Sequence, residues 1–241
     1  MAGTLKGALI SFTPSFIGAM PNVIIFQFNP ETITHTWTAA AAEAPSDPRA
    51  GRDPLAVKGV PGETFGFMLA VDAKDMIADG NAVTSALATA SGVYPRLSAL
   101  ELLQYPISPS GGAGLVGGVS ASISASGISV SVAGSGASQN VPQSQVPTVL
   151  FVWGPQRIMP VRVTALTITE RLYDTLLNPT HAEAQITLRV LTPDELVAIK
   201  GPMKQVAQIA YVYTQGLRQV QAAANLGDAA ASIIGMLPTP F

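Results

Sequence analysis

The residues that could carry chemistry are few. The 241-residue chain has no cysteine and two histidines. Disulfides and thiolate-held metals are therefore excluded. His181 and Glu183 offer two metal-ligating groups, but a zinc-type site takes three or four. His35 falls in an alternating run, on the same face as Ile33 and Trp37, and reads as a partly buried structural histidine. Asp72 and Asp75 are a carboxylate pair close in sequence, which reads as a solvated turn. No serine sits in a Gly-x-Ser-x-Gly elbow. The Gly-rich run at 111–118 lacks the Lys-Ser/Thr ending of a phosphate loop, and no dinucleotide-binding pattern follows a strand. Nothing assembles nucleophile, base and orienting group. The expectation is a chain with no catalytic residue, no cofactor and no metal: not an enzyme.

What must position these residues is an unusually uncharged chain. Charged residues make up 12% of it, where soluble domains carry about 25%. Mean hydropathy is +0.36, and residues 102–156 hold no charge at all. Such a surface invites association, so partner chains are expected to cover much of it. An Ala-rich, compositionally biased sequence is the alternative reading. The net charge of −2 supplies no strong field for nucleic acid or an anionic membrane. Aromatics and arginines are not interleaved as a base-stacking surface needs. The charge-free stretch 7–30 contains Pro14, Pro21 and Asn22, which break a membrane-spanning helix. It is also a poor signal peptide, with only Lys6 ahead of it. Folding in the cytoplasm, without direct membrane insertion, is expected.

The element pattern is rich in strands. Residues 5–13, 23–28 and 32–38 read as strands separated by Pro14 and Asn29-Pro30. Residues 39–62 read as a loop. A strand over 63–71 puts Phe65, Phe67 and Leu69 on one face. Helices are expected over 81–90 and over 97–104, where Leu97, Leu100 and Leu103 recur at helical spacing. More than half of residues 108–139 are Gly or Ser, a linker-like composition, yet 123–132 alternates like a strand. A hairpin or arm ordered against a neighbouring subunit is expected there. Strands resume over 149–153, 157–174 and 183–190, the last with Ala184, Ile186, Leu188 and Val190 inward. Thr192-Pro193-Asp194-Glu195 reads as a helix start. After Gly201-Pro202, Met203, Val206, Ala210, Tyr213, Leu217, Val220 and Ala224 form a helical stripe, interrupted at Gly227, with a last short helix over 230–237.

Several segments, taken in order, resemble one family. Phe26-Gln27-Phe28-Asn29-Pro30-Glu31-Thr32-Ile33 is similar to a "F-x-F-N-P-E-x-I/L" segment. Leu97-Ser98-Ala99-Leu100-Glu101-Leu102-Leu103 followed by Tyr105-Pro106 is similar to a "L-x-A-L-E-x-L" helix ending in Tyr-Pro. Pro147-Thr148-Val149-Leu150-Phe151-Val152-Trp153-Gly154 is similar to "P-x-V-x-F-V-W-G". Leu177-Asn178-Pro179 with Ala184 through Leu188 matches a final strand element. Over residues 5–191 this order resembles the N-terminal domain of the tube-adaptor proteins of contractile injection systems, which are phage-tail-like machines.

The resemblance implies a phage tail-tube-like β-barrel or sandwich; with the element pattern above, a β-rich α+β chain with short helices and a C-terminal helical tail is expected. The expected division is a β domain over 1–191, with the Gly/Ser-rich insertion at 108–146, and a helical extension over 192–241. The resemblance also implies a homo-hexameric ring of structural protein that adapts or initiates the inner tube. Its partners would be the inner tube protein, the spike or hub, and baseplate proteins. The particle would assemble in the bacterial cytoplasm, whether or not it is later released. Phe26, Phe28, Asn29, Pro30, Glu31, Phe151, Trp153 and Gly154 are the family-motif residues, with structural or interface roles. Two departures stand out: the insertion is long, and no LysM-type module follows Leu191. A cell-wall or surface-binding module, or an assembly chaperone of the same machine, is the alternative.

Overall fold

The computed structural model describes residues 5–11, 22–42, 55–78, 82–105, 119–124, 127–132, 146–199 and 203–234. These form a β-rich α+β fold built on one seven-stranded antiparallel sheet. The strands are β1 (Ala8–Ser11), β2 (Asn22–Ile25), β3 (Ile33–Thr38), β4 (Ala41–Ala42), β5 (Val57–Lys58), β6 (Gly62–Asp72), β7 (Val119–Ser124), β8 (Gly127–Val132), β9 (Val149–Val152), β10 (Ile158–Tyr173) and β11 (Pro179–Val190). The helices are α1 (Ala73–Ala78), α2 (Ala82–Ser91), α3 (Tyr94–Glu101), α4 (Pro193–Ala198) and α5 (Met203–Ile234). The main sheet runs β2-β1-β9-β10-β11-β6-β3, and β4-β5 and β7-β8 form separate two-stranded ladders.

Strict alternation builds the sheet's spine. In β6, Phe65, Phe67, Leu69 and Val71 are buried, while Met68 between them is exposed. In β11, Ala184, Ile186, Leu188 and Val190 are buried in the same sense. The two strands pair so that Phe67 faces Ile186 and Phe65 faces Leu188. One inner face thus carries the apolar set from every long strand. β10 keeps its phase until a bulge between Val163 and Ala165.

The sheet curls around that face. Ile24 in edge strand β2 and Phe26 just beyond it join the same core cluster as Phe67 in β6, near the other edge. The Phe26 and Phe67 rings lie 5.5 Å apart. Gln27 bridges the gap between the two edges: its Nε2 donates to the Asp72 carbonyl at 2.9 Å, and its Oε1 accepts from the Asp72 amide at 3.0 Å. A side-chain amide thereby satisfies the backbone polar groups that a further strand would otherwise pair.

The helices close the ends. Leu97, Leu100 and Leu103 are buried at the expected spacing, but α3 starts at Tyr94, earlier than the apolar stripe suggests, because Pro95 suits a first helical turn. α1 occupies Ala73–Ala78, where a polar turn is expected from Asp72 and Asp75. α4 opens with a complete capping box between Thr192 and Glu195. α5 runs on through Gly227 to Ile234 as one 32-residue helix.

The face that α5 turns to the sheet shares only part of the expected stripe. Ala210 of that stripe is buried, as are Ala207 and Thr214 beside it, whereas Val206, Tyr213 and Val220 are exposed. Small side chains let the helix axis approach the sheet, and Thr214 completes the contact. Its Oγ1 donates to the Ile158 carbonyl at 2.7 Å and accepts from the Ile158 amide at 3.2 Å. Helix docking here follows size and hydrogen bonding more than hydrophobicity. The Gly/Ser-rich insertion contributes the β7-β8 ladder, in register from Val119↔Val132 to Ser124↔Gly127; the rest of 106–145 lies outside the described residues.

Candidate functional site

A buried charge lies where α5 meets the sheet. Glu63 begins the inward phase of β6, two residues before Phe65, and is only 4% exposed. Arg218, 155 residues away in sequence, donates from Nη1 to Glu63 Oε2 at 3.0 Å, and its Nη2 donates to Oε1. His35 Nε2 lies 2.7 Å from the same Oε1. A carboxylate only accepts, so that imidazole nitrogen carries the proton. Around this carboxylate, His35 stacks on Phe65 at 4.2 Å, Arg218 lies 4.9 Å over the Trp37 ring, and Arg157 lies 5.2 Å over Phe65.

Burial pushes the His35 pKa below its ordinary value of 6.5. Glu63 works in the opposite direction, and Arg157 and Arg218 reinforce the fall. His35 is thus a neutral imidazole donating one hydrogen bond at pH 7. Both Glu63 oxygens are held by charged or polar donors, as a buried carboxylate requires. With those partners in place the group is no free base or nucleophile. It bolts α5 to the sheet.

Beside this bolt opens a cleft of about 130 Å³. Its apolar walls come from Trp37 in β3, Val60 and Pro61 ahead of β6, Leu191 after β11 and Tyr211 in α5. Glu63, Thr192 and Gln215 add polar groups to the lining. The cleft therefore lies at the C-terminal end of β11, between sheet and helix.

The family-motif residues gather elsewhere, around the start of β1. Phe26 and Phe151 are buried in the core, and Trp153, partly buried, packs 6.3 Å from each ring. Phe28 is 43% exposed. Asn29 acts as a surrogate peptide: its Oδ1 accepts from the Gly7 amide at 2.9 Å and its Nδ2 donates to the Leu5 carbonyl at 2.8 Å. Gly7 must be glycine, since a Cβ there would meet the Phe26 and Trp153 rings at 2.7 Å. Pro30 is partly buried and Glu31 exposed. Gly154 turns the chain between β9 and β10 at φ 69°, where glycine is at ease. Two segments far apart in sequence are thus brought together, and their common work is to lock β1, β2 and β9.

The remaining candidates for chemistry are engaged pairwise. His181 Nδ1 lies 3.3 Å from Asp72 Oδ2, while Glu183 accepts from Arg171 at 3.1 Å. Asp72 Oδ1 accepts from the Lys74 amide. Among the described residues no group of three His, Asp or Glu side chains could hold a metal ion. Among them too, no helix is long and apolar enough to cross a membrane. The Glu63–Arg218 pair escapes a sequence reading based on motifs. Its one signal was an acidic residue in phase with Phe65, Phe67 and Leu69 on an inward face. No family model matches the chain, and no curated protein matches it.

Proposed function

We propose that the chain is a non-catalytic structural subunit that assembles with copies of itself into a ring, as the inner-tube adaptor or initiator of a contractile, phage-tail-like particle. The observation that carries this reading is the two-faced α5. One face is fixed to the sheet through Ala207, Ala210, Thr214 and Arg218. The outward face presents Ile209 and Val212, each 68% exposed, and further on Val220 at 66% and Leu226 at 71%. An apolar stripe on a well-fixed helix is a surface for protein, and obligate assemblies bury such surfaces. Among the described residues no further strand pairs with the outer edges of β2 and β3; Arg96 Nη1 donates to the Ile25 carbonyl of β2 at 2.9 Å, and the rest of such edges suits strand addition by a neighbour. The ordered resemblance over residues 5–191 gives the assembly its kind; the helix face gives it its physical need.

The test is to purify sheathed particles from the source cell, identify the chain by mass spectrometry and locate it by electron cryomicroscopy. A six-fold ring at the junction of tube and baseplate is expected. Its absence from intact particles overturns the reading.

A further inference from the structure

The long β10–β11 hairpin ends in a turn that holds large apolar side chains in water. Leu172 is 71% exposed, Tyr173 54%, and Leu176 and Leu177 76% each. The turn that carries them is densely bonded. Asp174 Oδ1 accepts from the amides of Leu176 and Asn178, each at 2.8 Å. Its Oδ2 accepts from Asn178 Nδ2 at 2.9 Å. The Asp174 amide donates to the Asn178 carbonyl, and Thr180 Oγ1 donates to the Leu172 carbonyl at 2.7 Å. Asn178 Nδ2 also reaches the Ala90 carbonyl at 3.3 Å.

Two of the leucines sit in the left-handed region, Leu172 at φ 54° and Leu177 at φ 63°. That backbone disfavours a side chain with a Cβ and persists only where the surroundings impose it. A turn built for its own stability would place Gly or Asn there. This one accepts strain and presents leucines.

The receiving surface lies at the other end of the same strand. β11 spans Pro179–Val190, which at about 3.3 Å per residue separates tip and cleft by about 35 Å. A chain therefore cannot fill its own cleft with its own tip. The cleft's 130 Å³ suits one leucine side chain, given that cavities of about 150 Å³ hold benzene. The tip's apolar patch is on the order of 500 Å², the size at which exposed patches mark contact sites. Covering such a patch removes on the order of 1,000 Å² from water over both partners, where specific interfaces begin, with the exposed faces of Trp37 and Val60 around the cleft joining the contact.

We propose that the Leu176–Leu177 tip of one copy seats in the cleft between Trp37, Leu191 and Tyr211 of a second copy, joining chains head to tail. The contact is heterologous, so each copy gives one tip and receives one, and the series ends only where rotation closes a ring. This inference rests on the ring-subunit reading and names the surfaces that make the contact.

Because the chain has no cysteine, one engineered pair can report it. In the full-length L176C/V60C variant, mild oxidation with copper–phenanthroline should give a ladder of covalent dimers, trimers and higher species on a denaturing gel. Mixing the two single variants should give dimers and stop there. A double variant that sediments as the same oligomer as the parent yet yields no ladder overturns the tip-to-cleft contact and leaves the ring reading standing. A parent chain that sediments as a monomer overturns both. As a second readout, L176A/L177G should weaken self-association by about tenfold or more without loss of folded circular dichroism. Unchanged association would contradict the proposal.

Discussion

Two regions of this molecule break the usual burial preference in opposite directions. At the start of β6 an acidic side chain lies inside, with Glu63 only 4% exposed. At the tip of the β10–β11 hairpin leucines lie outside, 71–76% exposed. The first conflict is resolved within the chain, because Arg218 and His35 arrive from other elements to satisfy both carboxylate oxygens. The second is not resolved among the described residues, because the turn's hydrogen bonds hold the leucines out. On the assembly proposed above, the difference separates what the fold completes alone from what it leaves to a second copy.

The strongest way to break this comparison is at Glu63. Arg218→Ala strands a buried carboxylate and should lower stability by about 3–5 kcal/mol in urea denaturation. Replacing both partners, as in E63M/R218M, should recover most of that loss, since an apolar pair of similar volume is tolerated. A double variant as unstable as the single one would show that the bolt has no such internal logic. Next in size is Gln27→Ala, which leaves the Asp72 amide and carbonyl unpaired and should cost about 1–3 kcal/mol. At the tip the sign reverses. Leu177→Gly relieves the left-handed backbone and should raise stability by about 1 kcal/mol, seen as a higher melting temperature, while self-association falls. A tip residue kept for the fold would show the opposite melting shift.

The smallest effect is with pH. His35 has a folded pKa below its ordinary value of 6.5, so the unfolded chain takes up the proton more readily. Stability should therefore fall as pH drops through 6.5 toward the folded value, and reach its full level above 6.5. His35→Gln should remove this slope in denaturation series run between neutral and mildly acidic pH. Glu195, held low chiefly by its hydrogen bond from Arg189, acts in a more acidic window. Its contribution is present above the ordinary carboxylate value and is lost as pH falls through the folded one.

Most of the frame was legible because it rests on local patterns. The alternation in β6 and β11, the leucine spacing in α3 and the Thr192–Glu195 capping box all express short-range geometry. What escaped depends on distant partners. Arg218 meets Glu63 across 155 residues, and nothing local pairs them. The expected α5 stripe passes through Val206, Ala210, Tyr213 and Val220, yet of these the sheet accepts Ala210 alone, together with Ala207 and Thr214, whose small size permits close approach. Gln27 and Asn29 read as polar residues beside a turn. Their work as surrogate peptides depends on which backbone groups the curled sheet leaves unpaired. At the tip, Asp174 and Asn178 signalled a turn, but only the backbone shows Leu172 and Leu177 held in the left-handed region.

The measurement that most directly tests the central claim is sedimentation velocity on the purified full chain across the micromolar range, with the assembled species imaged by electron microscopy. A closed six-membered ring is expected. A monomer at every concentration, with the hairpin tip and the outer face of α5 free in solution, would contradict it.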